Sequence, residues 1–94
     1  MDDQALRTCI CETGRELLEN GLVARTWGNV SARADGGHYL VTPSGMDYGS
    51  IAPEDIALCD LATGKWIGPR RPSGERAVHA LAYSMFEDVN FVIH

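Results

Sequence analysis

Three short clusters of glycine and small polar residues carry the groups in this chain that could do chemistry. They are Gly28-Asn29, Thr42-Pro43-Ser44-Gly45 and Pro72-Ser73-Gly74-Glu75, and they are followed by His94 at the end of the apolar run Phe91-Val92-Ile93. Ser73 and Gly74 stand where a helix is expected to begin, so their backbone N–H groups would be orphan donors aimed outward. A helix N-terminus favours an anion by roughly 0.3–1 kcal/mol when exposed, and more when partly buried. Ser44 offers a hydroxyl and Gly45 an unobstructed N–H, the ingredients of a phosphate-binding nest. Gly28 lets the backbone approach a ligand closely, and the Asn29 amide can donate to an anionic oxygen. Each cluster also has a plainer explanation: a loop entering a strand, a turn, and an acidic residue complementing a helix dipole.

Glu75 and His94 add a second kind of chemistry. A neutral imidazole at a strand end is a good first-row metal ligand, although a histidine there can equally be a satisfied core or rim residue. A catalytic zinc needs three protein ligands and an open position. Glu75 and His94 could supply two of them. His79 lies four residues after Glu75, on the same helix face, where it could be a ligand; a local hydrogen bond or half-exposed packing is preferred. His38, beside a turn, is assigned to solvent. Cys9 and Cys11 are two apart in a helical pattern and project from different faces, and no further Cys or His follows at ligand spacing. Together with Cys59 they are assigned to packing.

The elements that must position these groups follow from periodicity. Leu6, Cys9, Ile10, Thr13 and Leu17 recur at three- and four-residue spacing and predict an amphipathic helix from about Asp3 to Asn20, stopped by Asn20-Gly21. Val30 to Arg33 and Tyr39 to Thr42 flank Asp35-Gly36-Gly37, a hairpin whose glycines are expected to supply positive φ. Ile56 to Asp60 and the region of Lys65-Trp66-Ile67 are further strands, joined through Thr63-Gly64. Gly68 to Pro72, with two prolines, is a loop. Glu75 to Phe86 predicts a second helix with Ser73 as N-cap and Val78, Leu81, Ala82 and Met85 as its apolar stripe. Val89 to His94 is a final strand. The order implies an α/β layered domain with a sheet built mainly from antiparallel hairpins.

Composition restricts the partners. Hydrophobic content of 45% and charged content of 22% are ordinary for a globular protein. A net charge of −5 argues against nucleic-acid binding, and Arg70-Arg71 is too short a basic cluster to reverse that. No apolar run approaches the ~20 residues needed to span a bilayer, so no membrane role is expected. The acidic start, Met1-Asp2-Asp3, lacks a secretory signal, and three cysteines are an odd number, so a reduced, cytoplasmic setting is expected.

Gly28-Asn29-Val30-Ser31-Ala32-Arg33, Thr42-Pro43-Ser44-Gly45, Pro53-Glu54-Asp55, Pro72-Ser73-Gly74-Glu75 with His79, and Val92-Ile93-His94 appear in order. On these motifs the chain resembles the N-terminal portion of the class II aldolase and adducin head family, from about Gly21 onward. That resemblance implies an α/β/α three-layer sandwich with a mainly antiparallel central sheet, incomplete here, residues 1–94 forming the N-terminal part of a single domain that breaks off at its first zinc histidine. It implies that Gly28, Asn29, Ser44, Gly45, Ser73 and Gly74 cradle a substrate phosphate. His94 would begin a His-x-His zinc pair, and Glu75 would be the general acid/base, resting on the metal when substrate is absent. The implied activity is zinc-dependent cleavage of a ketose 1-phosphate to dihydroxyacetone phosphate and an aldehyde, in a homotetramer, with the fragment inactive alone. Epimerase, decarboxylase and dehydratase chemistry on the same scaffold, or a non-catalytic adducin-like module, are the alternatives. Many members have Ser-Ser where this chain has Ser73-Gly74, which implies an altered substrate preference.

Overall fold

A computed structural model describes residues 2–24 and 27–94. The chain runs α1 (Asp3–Glu19), β1 (Val30–Asp35), β2 (His38–Val41), a 3-10 turn at Pro53–Asp55, β3 (Ala57–Asp60), β4 (Trp66–Ile67), α2 (Arg76–Met85) and β5 (Phe91–Ile93). The strands form one five-stranded sheet in the order β4-β3-β2-β1-β5, every pairing antiparallel. The α/β architecture and antiparallel sheet expected from the sequence are both present.

Local chemistry sets the ends of α1. The Asp2 carboxylate accepts from the Ala5 N–H at 2.8 Å, an N-cap that satisfies one orphan donor. The helix ends at Asn20-Gly21, where the Gly21 and Leu22 N–H groups donate to Leu18 and Leu17 carbonyls. Its buried face is Leu6, Ile10, Cys11 and Gly14, rotated from the expected stripe, while Cys9, Thr13 and Leu17 are half-buried. The reason is Tyr48, whose ring lies against Gly14. A Cβ at position 14 would stand 2.5 Å from Tyr48 Cδ1, so only glycine lets helix and ring meet.

Alternation along the strands separates two cores. Val30, Ala32 and Leu40 pack with Leu6, Ile10, Cys11, Tyr48, Ile51 and Ile56. Tyr39, Val41, Ala57 and Cys59 point the other way and pack with Tyr83 of α2. The β1–β2 turn forms as expected but by a different device. Neither Gly36 nor Gly37 adopts positive φ. Instead the Asp35 carboxylate accepts from the Gly37 N–H at 2.7 Å and from His38 Nδ1 at 2.9 Å, an Asx-type closure. His38 is therefore held by Asp35 rather than turned idly to solvent.

The second helix departs most from expectation. It begins at Arg76, so Glu75 and not Ser73 occupies the N-cap position. Its buried residues are His79 and Tyr83, whereas Val78, Leu81 and Met85 are 47%, 60% and 63% exposed. Polar partners on the sheet, described below, turn the helix this way. Arg33 of β1 fixes its far end, donating to the carbonyls of Tyr83, Phe86 and Val89 at 2.9–3.0 Å. A cation there satisfies terminal carbonyls and suits the negative end of the helix dipole. The same guanidinium lies 5.0 Å from the Tyr83 ring centroid.

Candidate functional site

Backbone pairing brings the first and last site residues together. The β1–β5 register sets Val30 opposite Ile93. One step further, the Asn29 N–H donates to the His94 carbonyl and the His94 N–H to the Asn29 carbonyl, each at 2.9 Å. This exchange needs the chain to turn sharply just before Asn29. Gly28 does so at φ 79°, and a Cβ there would stand 3.0 Å from Val23 Cγ1 and 3.1 Å from the His94 carbonyl oxygen. Both the left-handed backbone and the close approach require glycine. β5 is an edge strand with Phe91 and Ile93 exposed, so His94 ends a rim strand and not a buried one.

A second short pairing places the serines. The Ser44 N–H donates to the Arg71 carbonyl at 2.8 Å and the Ser73 N–H to the Thr42 carbonyl at 2.9 Å, around a bridge between Pro43 and Pro72. The Ser73 N–H is thus taken by the backbone and is no outward orphan donor. Its hydroxyl accepts from the Glu75 N–H at 3.2 Å.

Gly28, Asn29, Ser44, Gly45, Ser73 and Glu75 line one cleft of about 310 Å³, together with Trp27 and Pro43. Gly74 lines a neighbouring cleft with Arg71 and Arg76, and so stands apart from the five other residues expected to form an anion cradle.

At the cleft rim, Glu75 Oε2 accepts from Asn29 Nδ2 at 2.8 Å and from His94 Nδ1 at 3.0 Å. The Asn29 bond, then the charge of His94, holds the Glu75 carboxyl below the usual carboxylate range, so it rests as a carboxylate. With Nδ1–H committed to Glu75, a neutral His94 turns the lone pair of its other ring nitrogen away from the carboxylate. Imidazole and carboxylate are donor types zinc takes, but with His94 Nδ1 against Glu75 the free ring nitrogen faces elsewhere, so the two do not address one ion position in this structure. Among the described residues, no group of three or more His, Cys, Asp or Glu side chains stands ready to hold a metal. His94, through its other ring nitrogen, is the donor left free for a metal.

Behind Glu75 lies a layer of polar groups whose connection the sequence did not reveal. His79 is fully buried, its Nε2 bonded to Asn29 Oδ1 and its Nδ1 to Ser31 Oγ at 2.6 Å. Ser31 Oγ in turn meets the Tyr83 hydroxyl at 2.7 Å. The local partner expected for His79 is absent; its partners come from a strand fifty residues away. Its ring is 6.4 Å from that of His94, edge to face. Burial, then the charge of His94, pushes the His79 imidazole down to about 4. The sequence held a signal: Glu75, His79 and Tyr83 recur at four-residue spacing, a polar stripe within an apolar helix.

The chain belongs to the family described as Class II Aldolase and Adducin N-terminal domain, whose profile matches residues 8–94. It is 40% identical over 76 residues to a methylthioribulose-1-phosphate dehydratase of Yersinia pestis (strain Pestoides F), covering 81% of this chain and 34% of that protein. It is 39% identical over 90 residues to a 5-methylthioribulose-1-phosphate/5-deoxyribulose-1-phosphate aldolase of Rhodospirillum rubrum, covering 96% of this chain and 40% of that protein. The solved structure of an L-fuculose 1-phosphate aldolase superposes with a TM-score of 0.88 at 31% identity, covering 96% of this chain and 43% of the other. The chain therefore spans well under half the length of these relatives.

Proposed function

We propose that this chain is the phosphate-binding and proton-transfer portion of a metal-dependent sugar-phosphate lyase acting on a ketose 1-phosphate, a three-layer α/β/α domain when complete. One observation carries this reading: Glu75 Oε2 is held between Asn29 Nδ2 and His94 Nδ1 at the rim of a cleft lined by Gly28, Ser44, Gly45 and Ser73. The phosphate would take the Ser44 and Ser73 hydroxyls, the Gly45 N–H and the Asn29 amide hydrogen not used by Glu75.

Zinc is the metal an imidazole donor of this kind favours, and His94 would hold it through the ring nitrogen turned from Glu75. When bound, it supplies Lewis-acid polarisation of the ketose oxygens. Glu75 moves the proton at the carbon beside the ketone. In aldol cleavage Glu75 would take the proton of the hydroxyl on the far side of the breaking C–C bond, that carbon becoming the aldehyde. The electron pair of the bond stays on the ketose fragment as an enediolate, and Glu75 returns the proton to its carbon to give dihydroxyacetone phosphate. This aldolase reading is supported by the Rhodospirillum relative's name and the structural likeness.

A second reading is dehydration, in which the Glu75 carboxylate removes that proton and the neighbouring hydroxyl leaves as water. One observation favours it: the likeness to the Yersinia dehydratase. The remaining expectations, a homotetramer in a reduced, cytoplasmic setting, rest on the family resemblance and the cysteine count alone.

The test uses the full-length natural protein loaded with zinc and offered 1-phosphorylated ketopentoses. Release of dihydroxyacetone phosphate marks the aldolase, and loss of water without carbon–carbon cleavage marks the dehydratase. Glu75→Gln should lower kcat by about 10²–10⁴-fold. Absence of turnover on every ketose 1-phosphate, or full activity in Glu75→Gln, rejects the proposal.

A further inference from the structure

We propose that Tyr83, Ser31 and His79 form a buried, one-way hydrogen-bond chain that locks the Asn29 amide in the orientation that donates to Glu75, making these three the positioning residues of the proton-transfer step. The proposal deepens the lyase reading and rests on it for the role of Glu75.

Direction in the chain is fixed from its outer end. A carboxylate only accepts, so the Asn29 group facing Glu75 Oε2 must be the NH₂. Asn29 Oδ1 then faces inward and also only accepts, which requires His79 Nε2 to carry a hydrogen. In a neutral imidazole that leaves Nδ1 as an acceptor, so the Ser31 hydroxyl donates to it. The Ser31 oxygen is then free to accept from the Tyr83 hydroxyl. Every member has one role and no rotor is left undecided. Reversing the Asn29 amide would set its carbonyl against the Glu75 carboxylate, and its NH₂ against the His79 N–H unless the His79 tautomer and the Ser31 and Tyr83 hydroxyls all turned over with it.

Burial makes those clashes costly. Ser31 and His79 are fully enclosed, Tyr83 is 2% exposed and Asn29 5%. Water cannot replace a lost partner there, and an unmade hydrogen bond keeps its full desolvation penalty. Glu75 itself is largely exposed, at 60% of its side chain, so burial does not hold it. Its position is set by the two donors it meets, and the Asn29 donor is the one anchored in the core. The anchor runs through two elements, because Ser31 belongs to β1 and His79 and Tyr83 to α2, while Arg33 of β1 clamps the end of that helix.

The experiment has two arms in the full-length natural protein. In the metal-free protein, ¹⁵N NMR of the His79 ring should show the Nε2–H tautomer alone, and one Asn29 side-chain amide proton should be shifted downfield and slow to exchange. That proton should lose its shift in Glu75→Gln and in His79→Phe, and keep it in His79→Gln, whose amide can still donate to Asn29 Oδ1. In the zinc-loaded protein, His79→Phe should lower kcat by about 10–100-fold with KM for the sugar phosphate little changed. His79→Gln should recover most of that loss, and His79→Phe should cost nothing further in a Glu75→Gln background. An Nδ1–H tautomer, an unshifted Asn29 amide in the wild type, or additive effects in that cycle would overturn the chain. Should His79→Phe not fold, the wild-type tautomer and an intermediate kcat loss in Ser31→Ala decide the matter. If the wild type turns over no sugar phosphate, the lyase reading fails, while the metal-free spectra still judge the hydrogen-bond chain.

Discussion

On one face of the sheet, Leu6, Ile10 and Cys11 of α1 meet Val30, Ala32 and Leu40 through apolar contact. On the other, α2 meets β1 through His79, Tyr83 and Ser31, three polar side chains bonded in series. Both helices have apolar contact, since Tyr83 also packs with Tyr39, Val41, Ala57 and Cys59, but α2 alone adds a buried hydrogen-bond series. Apolar packing is non-directional and tolerates repacking, so α1 is suited to holding the sheet and little else. Hydrogen bonds in a dry interior are directional and fail if one partner is removed. The side that needs angular precision, because it ends at Glu75, is the side built from them.

The largest effect should come from the apolar face. Ile10→Ala removes a fully buried side chain and should cost about 2–5 kcal/mol in chemical denaturation, while leaving the His79 tautomer unchanged. Loss of that tautomer would mean the two faces are not independent.

Next comes pH, which should act on the polar face. The His79 imidazole sits at about 4 in the folded chain against 6.5 ordinarily, chiefly through burial. Between those values the unfolded chain takes up a proton and the folded chain does not. Stability from this group is therefore complete above pH 6.5 and is lost as pH falls toward 4, on the order of 3 kcal/mol in all. Glu75, Asp35 and Asp60 are all held low, so their contributions fade only below their ordinary values of 3.8–4.5. Denaturation midpoints taken from pH 7 to 4.5 should slope in the wild type and flatten in His79→Gln. An equal slope in both would remove His79 as the cause.

Gly14→Ala separates propensity from packing on the α1 side. Helix propensity alone predicts a gain of about 1 kcal/mol. The Cβ would stand 2.5 Å from the Tyr48 ring, so a net loss of about 1–3 kcal/mol is expected. A thermal melt gives the sign.

The smallest effect should be Leu81→Gln on the outward face of α2. With the side chain 60% exposed, it should shift stability by no more than about 0.5 kcal/mol in this chain. A larger loss would mean that face is covered in solution.

Much of the scaffold was legible because it is local. The end of α1 follows from Asn20-Gly21 and the β1–β2 pairing from a short hairpin, where alternation fixes the face of each residue. The three polar-glycine clusters could be recognised from residue type, and five of their six cradle residues share one cleft. The α2 stripe could not be read this way. Val78, Leu81 and Met85 recur at helical spacing and are the more apolar face, yet Ser31 and the sheet select His79 and Tyr83.

Sequence by itself determined which residues can bind an anion, which can move a proton, and where the backbone must turn at Gly28. Tertiary structure alone decided that Asn29 serves Glu75, that Gly74 faces another cleft, and which way α2 rolls. The first set depends on side-chain chemistry and steric limits within a few residues. The second depends on partners some fifty positions apart, and no local propensity specifies which hydrogen bonds a buried polar group will find.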